Sequence, residues 1–313
     1  MTKKFFISFS KIIKSACIVS TSLLLAGCVD FAALFPFTSS SPVSSSDGSV
    51  TVSFFDVGQA DSTLITLPDG KYVLIDSGNA ADGELIAAHL NELGITTLDL
   101  LVATHPHEDH IGGMVDIFEQ LEILQVYMPE LSEKDIPATK TYERFLDEVI
   151  AEQCQVKAAN AGDMVMEGDG YDIICLSPGT SDIGDLNNYS AVLKLNVDDV
   201  SFIFMGDAET PMEENMMDSC FDLSADIIKL GHHGSKTSTS EEFLMRVKPS
   251  LGIISCGEGN SYGHPDSSTL KLLSKHKIDY FRTDQVGTIH IVTDGQNFET
   301  STDRYLILDG NRK

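Results

Sequence analysis

Seven consecutive residues, Thr104-His105-Pro106-His107-Glu108-Asp109-His110, follow directly on the apolar run LDLLVA and restrict this chain more than any other segment. Three imidazoles and an aspartate within six residues are poor core material, because such groups are seldom buried without partners. A loop leaving a strand can instead turn alternate side chains towards one point. Neutral imidazole and ionised carboxylate there suit zinc, manganese or iron. On this reading His105 and His107 hold one divalent ion, and Asp109 and His110 hold a second. The alternative, a solvated polar loop, leaves that choice of residues without a use.

The flanking sequence supplies a scaffold. VTVSFFDV, STLITLP and KYVLIDSG read as strands, the last two joined by the turn Pro68-Asp69-Gly70. Beyond the histidine loop, helix-like stretches such as TYERFLDEVIAEQ alternate with apolar strand-like runs such as YDIICLSP, SFIFMGD, ADIIKLG and LGIISC. Strand runs mixed with strand–helix units predict an α/β fold of the αββα sandwich type. The 42% hydrophobic content is enough for such a core.

Residues 1–28 read as a secretion leader. Lys3, Lys4, Lys11 and Lys14 precede an apolar stretch too short to span a bilayer, which needs about 20 residues. The stretch ends in Leu25-Ala26-Gly27-Cys28, which resembles a bacterial lipobox and makes Cys28 the expected lipidation site; an ordinary cleaved signal or a short anchor are the alternatives. Residues 29–48 are a Ser/Pro-rich tether, and residues 49–313 form the expected domain. The protein is therefore expected outside the cytoplasmic membrane and held to it by lipid. Of the remaining cysteines, Cys175 and Cys256 lie in apolar runs and read as buried thiols, with pairing among Cys154, Cys175, Cys220 and Cys256 left open. Beyond the leader, 17 basic residues face 47 acidic ones, a balance of −30, which argues against a non-specific clamp on nucleic acid. No protein partner is indicated.

Further motifs extend the pattern. Phe55-Asp56-Val57-Gly58-Gln59-Ala60-Asp61-Ser62, Ile75-Asp76-Ser77-Gly78, the histidine loop with Ile111-Gly112-Gly113, Asn187-Asn188-Tyr189-Ser190, Gly206-Asp207, Lys229-Leu230-Gly231-His232-His233-Gly234-Ser235 and Tyr262-Gly263-His264-Pro265 occur in this order. Together they resemble the metallo-β-lactamase fold superfamily, and within it the hydrolase domain of the ComEC competence family and its stand-alone relatives. Ala60 stands where that branch usually has glycine, and the channel-forming membrane helices of the full competence protein are absent from this sequence.

Asp207 closes the apolar run SFIFM and is placed to bridge two ions, with a helix-capping role as the alternative. One of His232 and His233 is expected to bind metal and the other to line the cleft, and the sequence does not choose between them. No histidine lies between residues 111 and 231, where the wider superfamily supplies one. His264 is the candidate for the missing ligand, with a cleft-lining role as the alternative. Asp76, Asn188 and Ser190 are expected to support the ligands from behind. Asp56 and Asp61 are open between such support and turn roles. Lys229, with Ser235, Lys236, Thr237 and Ser238, could meet a phosphate oxygen, or the hydroxyls could cap the helix that begins near Glu241.

The resemblance implies a hydrolase using two divalent ions, zinc or manganese, with Asp109, His232, His233 and Lys229 as catalytic candidates. A water shared by two such ions ionises near neutral pH, so no serine or cysteine nucleophile is required. A phosphodiester or other phosphoester, small or polymeric, is the expected substrate. An amide or lactam substrate, or a metal-holding surface protein without turnover, are the competing expectations.

Overall fold

A computed structural model describes residues 48–178 and 184–303; the leader, the lipobox and nearly all of the tether lie outside them. The first half of the domain runs β1 (Val50–Phe54), β2 (Thr63–Thr66), β3 (Tyr72–Ile75), α1 (Gly83–Glu92), β4 (Thr97–Leu98), β5 (Leu100–Val102), α2 (Glu108–Ile111), α3 (Met114–Gln120), β6 (Glu122–Ile123), β7 (Gln125–Pro129), α4 (Lys140–Glu152) and β8 (Gln155–Ala159). The second half runs β9 (Met164–Gly168), β10 (Tyr171–Ser177), β11 (Val192–Val197), β12 (Val200–Phe204), α5 (Thr210–Asp218), β13 (Ile227–Lys229), α6 (Glu241–Val247), β14 (Leu251–Ile254), α7 (Ser267–His276), β15 (Asp279–Arg282), α8 (Thr283–Val286), β16 (Thr288–Thr293) and β17 (Phe298–Asp303).

Two mixed sheets result, ordered β17-β16-β1-β2-β3-β5-β7-β8 and β15-β14-β13-β12-β11-β10-β9. In the first, β3, β5, β7 and β8 are parallel; in the second, β12 to β15 are parallel. The expected β2–β3 hairpin is present, with Gly70 at φ +83° completing its turn. The return of the chain to the first sheet, through β16 against β1, joins residues about 240 positions apart.

Alternation along the strands assigns the faces, because successive side chains point to opposite sides of a sheet. Val73, Ile75, Leu100 and Val102 from the first sheet meet Ile173, Leu193, Leu195, Phe202, Phe204, Ile227 and Ile253 from the second in a continuous interlayer core. The intervening Leu74 and Leu101 face outward and are covered by Ile86 and Leu90 of α1, Ile117 of α3 and Phe145 of α4. Ile203 and Ile228 likewise face Met212 and Met216 of α5 and Phe243 and Leu244 of α6. The layers are thus helix, sheet, sheet, helix, as the strand and helix patterning predicts. Cys154, Cys175, Cys220 and Cys256 are free, with Cys175 and Cys256 buried.

The architecture fixes where chemistry can occur. β3, β5, β12, β13 and β14 run so that their carboxyl ends lead into Asp76, the histidine loop, Asp207, the His232-His233 pair and Ser255 respectively. Parallel strands open into crevices at their carboxyl ends, and here two sheets present those ends side by side.

Candidate metal centre

The histidine loop is held by backbone bonds from neighbouring turns: Asp61 N donates to Asp109 O (3.1 Å), Ser77 N to His110 O (2.8 Å) and Ala191 N to Thr104 O (2.9 Å). Prolonging the strand with Thr104 lets its hydroxyl and N–H reach the buried Asp76 carboxylate, at 2.7 and 2.9 Å. His110 Nδ1 lies 2.7 Å from the same carboxylate. An N–H at Nδ1 satisfies that contact and leaves the lone pair of His110 on Nε2. Asp76 itself adopts φ +60°, a left-handed conformation uncommon outside glycine, which aims its side chain at this junction.

Asp207 follows β12 through Gly206 at φ +52°. A Cβ at position 206 would stand 3.1 Å from the side chains of Ser190 and Thr104, so both the dihedral and the space call for glycine. The Asp207 N–H donates to Ser190 Oγ (3.0 Å), and that hydroxyl also lies 3.4 Å from His105 Nδ1. Asp207 does not cap the following helix: α5 begins three residues later, with Glu209 at its cap position.

The two oxygens of Asp207 face different imidazoles. Oδ1 is 3.3 Å from His110 Nε2 and 3.9 Å from His233 Nε2, while Oδ2 is 3.8 Å from both His105 Nε2 and His232 Nε2. Asp109 Oδ2 lies 3.3 Å from His233 Nε2. Ligand atoms of Asp109, His110, Asp207 and His233 all fall within 4.8 Å of one another. On the other side His105 Nε2 and His107 Nδ1 are 3.0 Å apart. The site therefore has a carboxylate pocket formed by Asp109, His110, Asp207 and His233, and a histidine pocket formed by His105 and His107 with the second oxygen of Asp207, which His232 also approaches.

The donors fit cations. His110 Nε2 and Asp207 Oδ1 are buried without a hydrogen-bond partner although 3.3 Å apart. A lone pair facing a carboxylate oxygen across that gap is repulsive unless positive charge lies between them. Burial works against a charged imidazole at His110, yet Asp207, Asp76 and Asp109 outweigh it and raise its pKa well above the usual range. Burial is outweighed in the same way at His233, which Asp207 and Asp61 push up to about 10. The Asp207 carboxyl is held well below the carboxylate range by His110 and His233 despite its burial. The field that keeps protons on these imidazoles is one that attracts divalent cations, and nitrogen with carboxylate oxygen suits such ions.

His232 and His233 take different places. Both have left-handed backbones, φ +50° and +54°, and their rings lie 6.1 Å apart at an interplanar angle of 64°. His233 is buried, with Nδ1 3.0 Å from the Ser255 carbonyl and Nε2 in the carboxylate pocket. His232, whose side chain is 24% exposed, directs Nδ1 towards Glu209 Oε1 (3.2 Å) and Thr237 Oγ1 (3.3 Å). The structure brings His264 beside this pair but not into the close ligand group: its ring lies 5.3 Å from that of His232 and 6.3 Å from that of His233. Asn260 clasps the His264 backbone by two hydrogen bonds, and His264 Nδ1 meets Gln59 Nε2 at 3.5 Å.

Lys229 departs most from its expected place. It is 3% exposed, and its Nζ lies 2.5 Å from Asp61 Oδ2, so the ammonium is turned inward to a carboxylate and away from the cleft. Burial alone would raise the Asp61 carboxyl, but Lys229 and His233 bring it down to about 2. Asp61, left open between two roles by the sequence, is thus a buried ion-pair partner whose other oxygen is 3.3 Å from His233 Nδ1. Asn188 Oδ1 accepts from Glu209 N (3.0 Å), which places it behind the His232 support. Glu209 is a site residue that the sequence reading missed. Its position two residues after Asp207 is the one signal that could have pointed to it. The hydroxyls of Ser235, Thr237 and Ser238 do not cap α6: Thr237 Oγ1 donates to Glu209 Oε1, Ser238 Oγ donates to the Ala208 carbonyl, Ser235 Oγ lies 3.0 Å from Thr237 Oγ1, and the cap is the later Ser240.

Comparison with known proteins agrees with this geometry. The family model of the metallo-beta-lactamase superfamily matches residues 55–258. ComE operon protein 3 of Bacillus subtilis (strain 168) is 34% identical over 265 residues, covering 79% of this chain and 33% of that protein. Competence protein ComA of Neisseria gonorrhoeae is 28% identical over 271 residues, covering 85% of this chain and 34% of that protein. The chain thus spans about a third of the length of these curated relatives. Among solved structures, Igni18, described as a novel metallo hydrolase from the archaeon Ignicoccus hospitalis, superposes with a TM-score of 0.50 at 17% identity, covering 77% of this chain and 98% of that one, a likeness of fold alone. With a family match across the strands and loops that carry both pockets, the chain belongs to the metallo-β-lactamase superfamily and is ComEC-like within it.

Proposed function

We propose that this protein is a dinuclear metal-dependent phosphoesterase, acting on a phosphodiester outside the cytoplasmic membrane, with zinc or manganese as its ions. The observation that most supports this reading is the two-sided Asp207 carboxylate, with separate imidazole sets facing its two oxygens. Such a carboxylate suits two ions roughly 3.5 to 4 Å apart, the spacing used to clamp attacking and leaving oxygens in phosphoryl transfer. Divalent ions held there would supply Lewis acidity and, from water, a nucleophile at neutral pH.

The chain's own groups do the rest. Asp76 and Thr104 fix the ring orientation of His110, and the Ser255 carbonyl fixes that of His233, so lone pairs stay on the cleft side. His232, steadied by Glu209 and Thr237, faces the open side of Asp207 and can meet a phosphoryl oxygen. His264 and the 73% exposed Tyr262, whose rings stack at 5.8 Å, form the outer wall against which the rest of a substrate can lie. Lys229 supplies no charge to the substrate, because Asp61 takes it.

The test is metal content of the purified protein followed by turnover of bis(p-nitrophenyl) phosphate with and without chelator. Stoichiometric transition metal and chelator-sensitive turnover are expected. A metallated protein that opens nitrocefin and leaves the phosphodiester intact would refute the substrate class in favour of lactam hydrolysis. For the anchor, Cys28→Ala should move the protein out of the membrane fraction, and unchanged fractionation would refute lipidation at that residue.

A further inference from the structure

The two pockets are built unequally. In the carboxylate pocket each imidazole is oriented from behind. His110 is fixed by Asp76 at 2.7 Å, and His233 by the Ser255 carbonyl at 3.0 Å, with Asp61 Oδ1 3.3 Å from the same ring nitrogen. Asp61 is in turn held in place by buried Lys229 and, through its backbone, by Asp109 O and Gly78 N. Two carboxylates, Asp109 and Asp207, contribute ligand atoms there.

In the histidine pocket the support is weaker. His105 Nδ1 meets only hydroxyls, Thr104 Oγ1 at 3.2 Å and Ser190 Oγ at 3.4 Å. Among the described residues the His107 side chain meets no carboxylate or carbonyl, and its one hydrogen-bond contact is the His105 ring. The carboxylate oxygen facing this pocket is the far one of Asp207, which His232 Nε2 also approaches at 3.8 Å, and that imidazole is partly exposed whereas His110 and His233 are buried.

Resting on the dinuclear reading above, we infer that the carboxylate pocket loads first and holds its ion tightly, while the ion between His105 and His107 is weak and exchangeable. Asp61 and Lys229 are positioning residues for the tight pocket. A carboxylate that orients a ligating imidazole raises its basicity and fixes its tautomer, and loss of such a group weakens metal binding by about 10- to 100-fold. Lys229, at 2.5 Å from the other oxygen of Asp61, holds that carboxylate in place behind the His233 ring.

The experiment is titration of the chelator-stripped protein with Zn²⁺ alone, read by native mass spectrometry and by competition with a chromophoric chelator. Two equivalents of unequal affinity are expected, separated by at least about tenfold. His107→Ala should remove the weak equivalent and leave the tight one unchanged, whereas Asp109→Asn should remove the tight one. The paired variant Asp61→Asn/Lys229→Met, which leaves no lone buried charge, should weaken the tight equivalent by about tenfold or more and leave the weak one in place. A purely structural role for the pair would shift both equivalents together or neither. Equal affinities, or loss of the tight equivalent in His107→Ala, would overturn the inference while leaving two ions in place. No stoichiometric ion at all would overturn the proposed function with it.

Discussion

Asp76→Asn separates metal binding from folding in this site. The carboxylate accepts from Thr104 N, Thr104 Oγ1 and His110 Nδ1 at 2.9, 2.7 and 2.7 Å. An amide of the same shape keeps one acceptor oxygen for Thr104 N but sets an NH₂ donor against His110. The conflict is relieved if His110 moves its proton to Nε2, which then donates to Asp207 Oδ1 across the existing 3.3 Å gap. Two buried atoms without partners, His110 Nε2 and Asp207 Oδ1, become satisfied in this way. Burial already raises the Asp76 carboxyl despite His110, so a neutral side chain costs the fold little. Ligation costs more, because the lone pair of His110 now faces away from the pocket.

The expected result is a metal affinity in the carboxylate pocket lowered by about 10- to 100-fold, which is about 1.4 to 2.7 kcal/mol. The metal-free melting temperature should stay within a few degrees of wild type. Chelator competition reports the first quantity, differential scanning fluorimetry the second, and imidazole ¹⁵N shifts the change of tautomer. An unchanged affinity, or a variant that loses its fold, would refute this account of Asp76.

Other consequences follow from particular contacts. Gly206→Ala places a Cβ at φ +52° and 3.1 Å from Ser190 and Thr104, so it should destabilise the protein by about 1 to 3 kcal/mol; an unchanged denaturation midpoint would contradict the packing at Asp207. Asp61 has its pKa lowered from 3.8 to about 2 on folding, so its stabilising contribution is full above pH 4 and is lost as pH falls from about 4 to 2. That contribution is about 2 kcal/mol, and in guanidinium unfolding of the metal-free protein Asp61→Asn/Lys229→Met should show correspondingly less acid destabilisation than wild type. Identical pH profiles would show that the Asp61–Lys229 pair does not hold this charge.

Much of the centre is legible in the sequence because its ligands sit at strand ends. The run LDLLVA delivers the histidine loop and SFIFM delivers Asp207, and apolar alternation predicts both layers of the sandwich. What escaped depends on long-range register or local clasps. Lys229 continues the alternation of Ile227 and Ile228, which puts it under the strand end, but its partner Asp61 is 168 positions away. His264 is held beside His232 by the Asn260 clasp on its backbone, and nothing in Tyr-Gly-His-Pro reveals that contact. β8 and β9 are largely half-buried or exposed, so they lack the apolar runs that marked the other strands. The separate uses of His232 and His233 follow from two left-handed residues in succession, a backbone choice that neighbouring Gly231 and Gly234 permit but do not announce.

The most direct measurement is anomalous scattering at the metal edge from crystals of the purified protein. The account predicts two peaks roughly 3.5 to 4 Å apart on either side of the Asp207 carboxylate, one against Asp109, His110 and His233 and the other against His105 and His107. The peak at the carboxylate pocket should be the fuller of the two. No peak, or a single peak away from Asp207, would contradict the dinuclear centre.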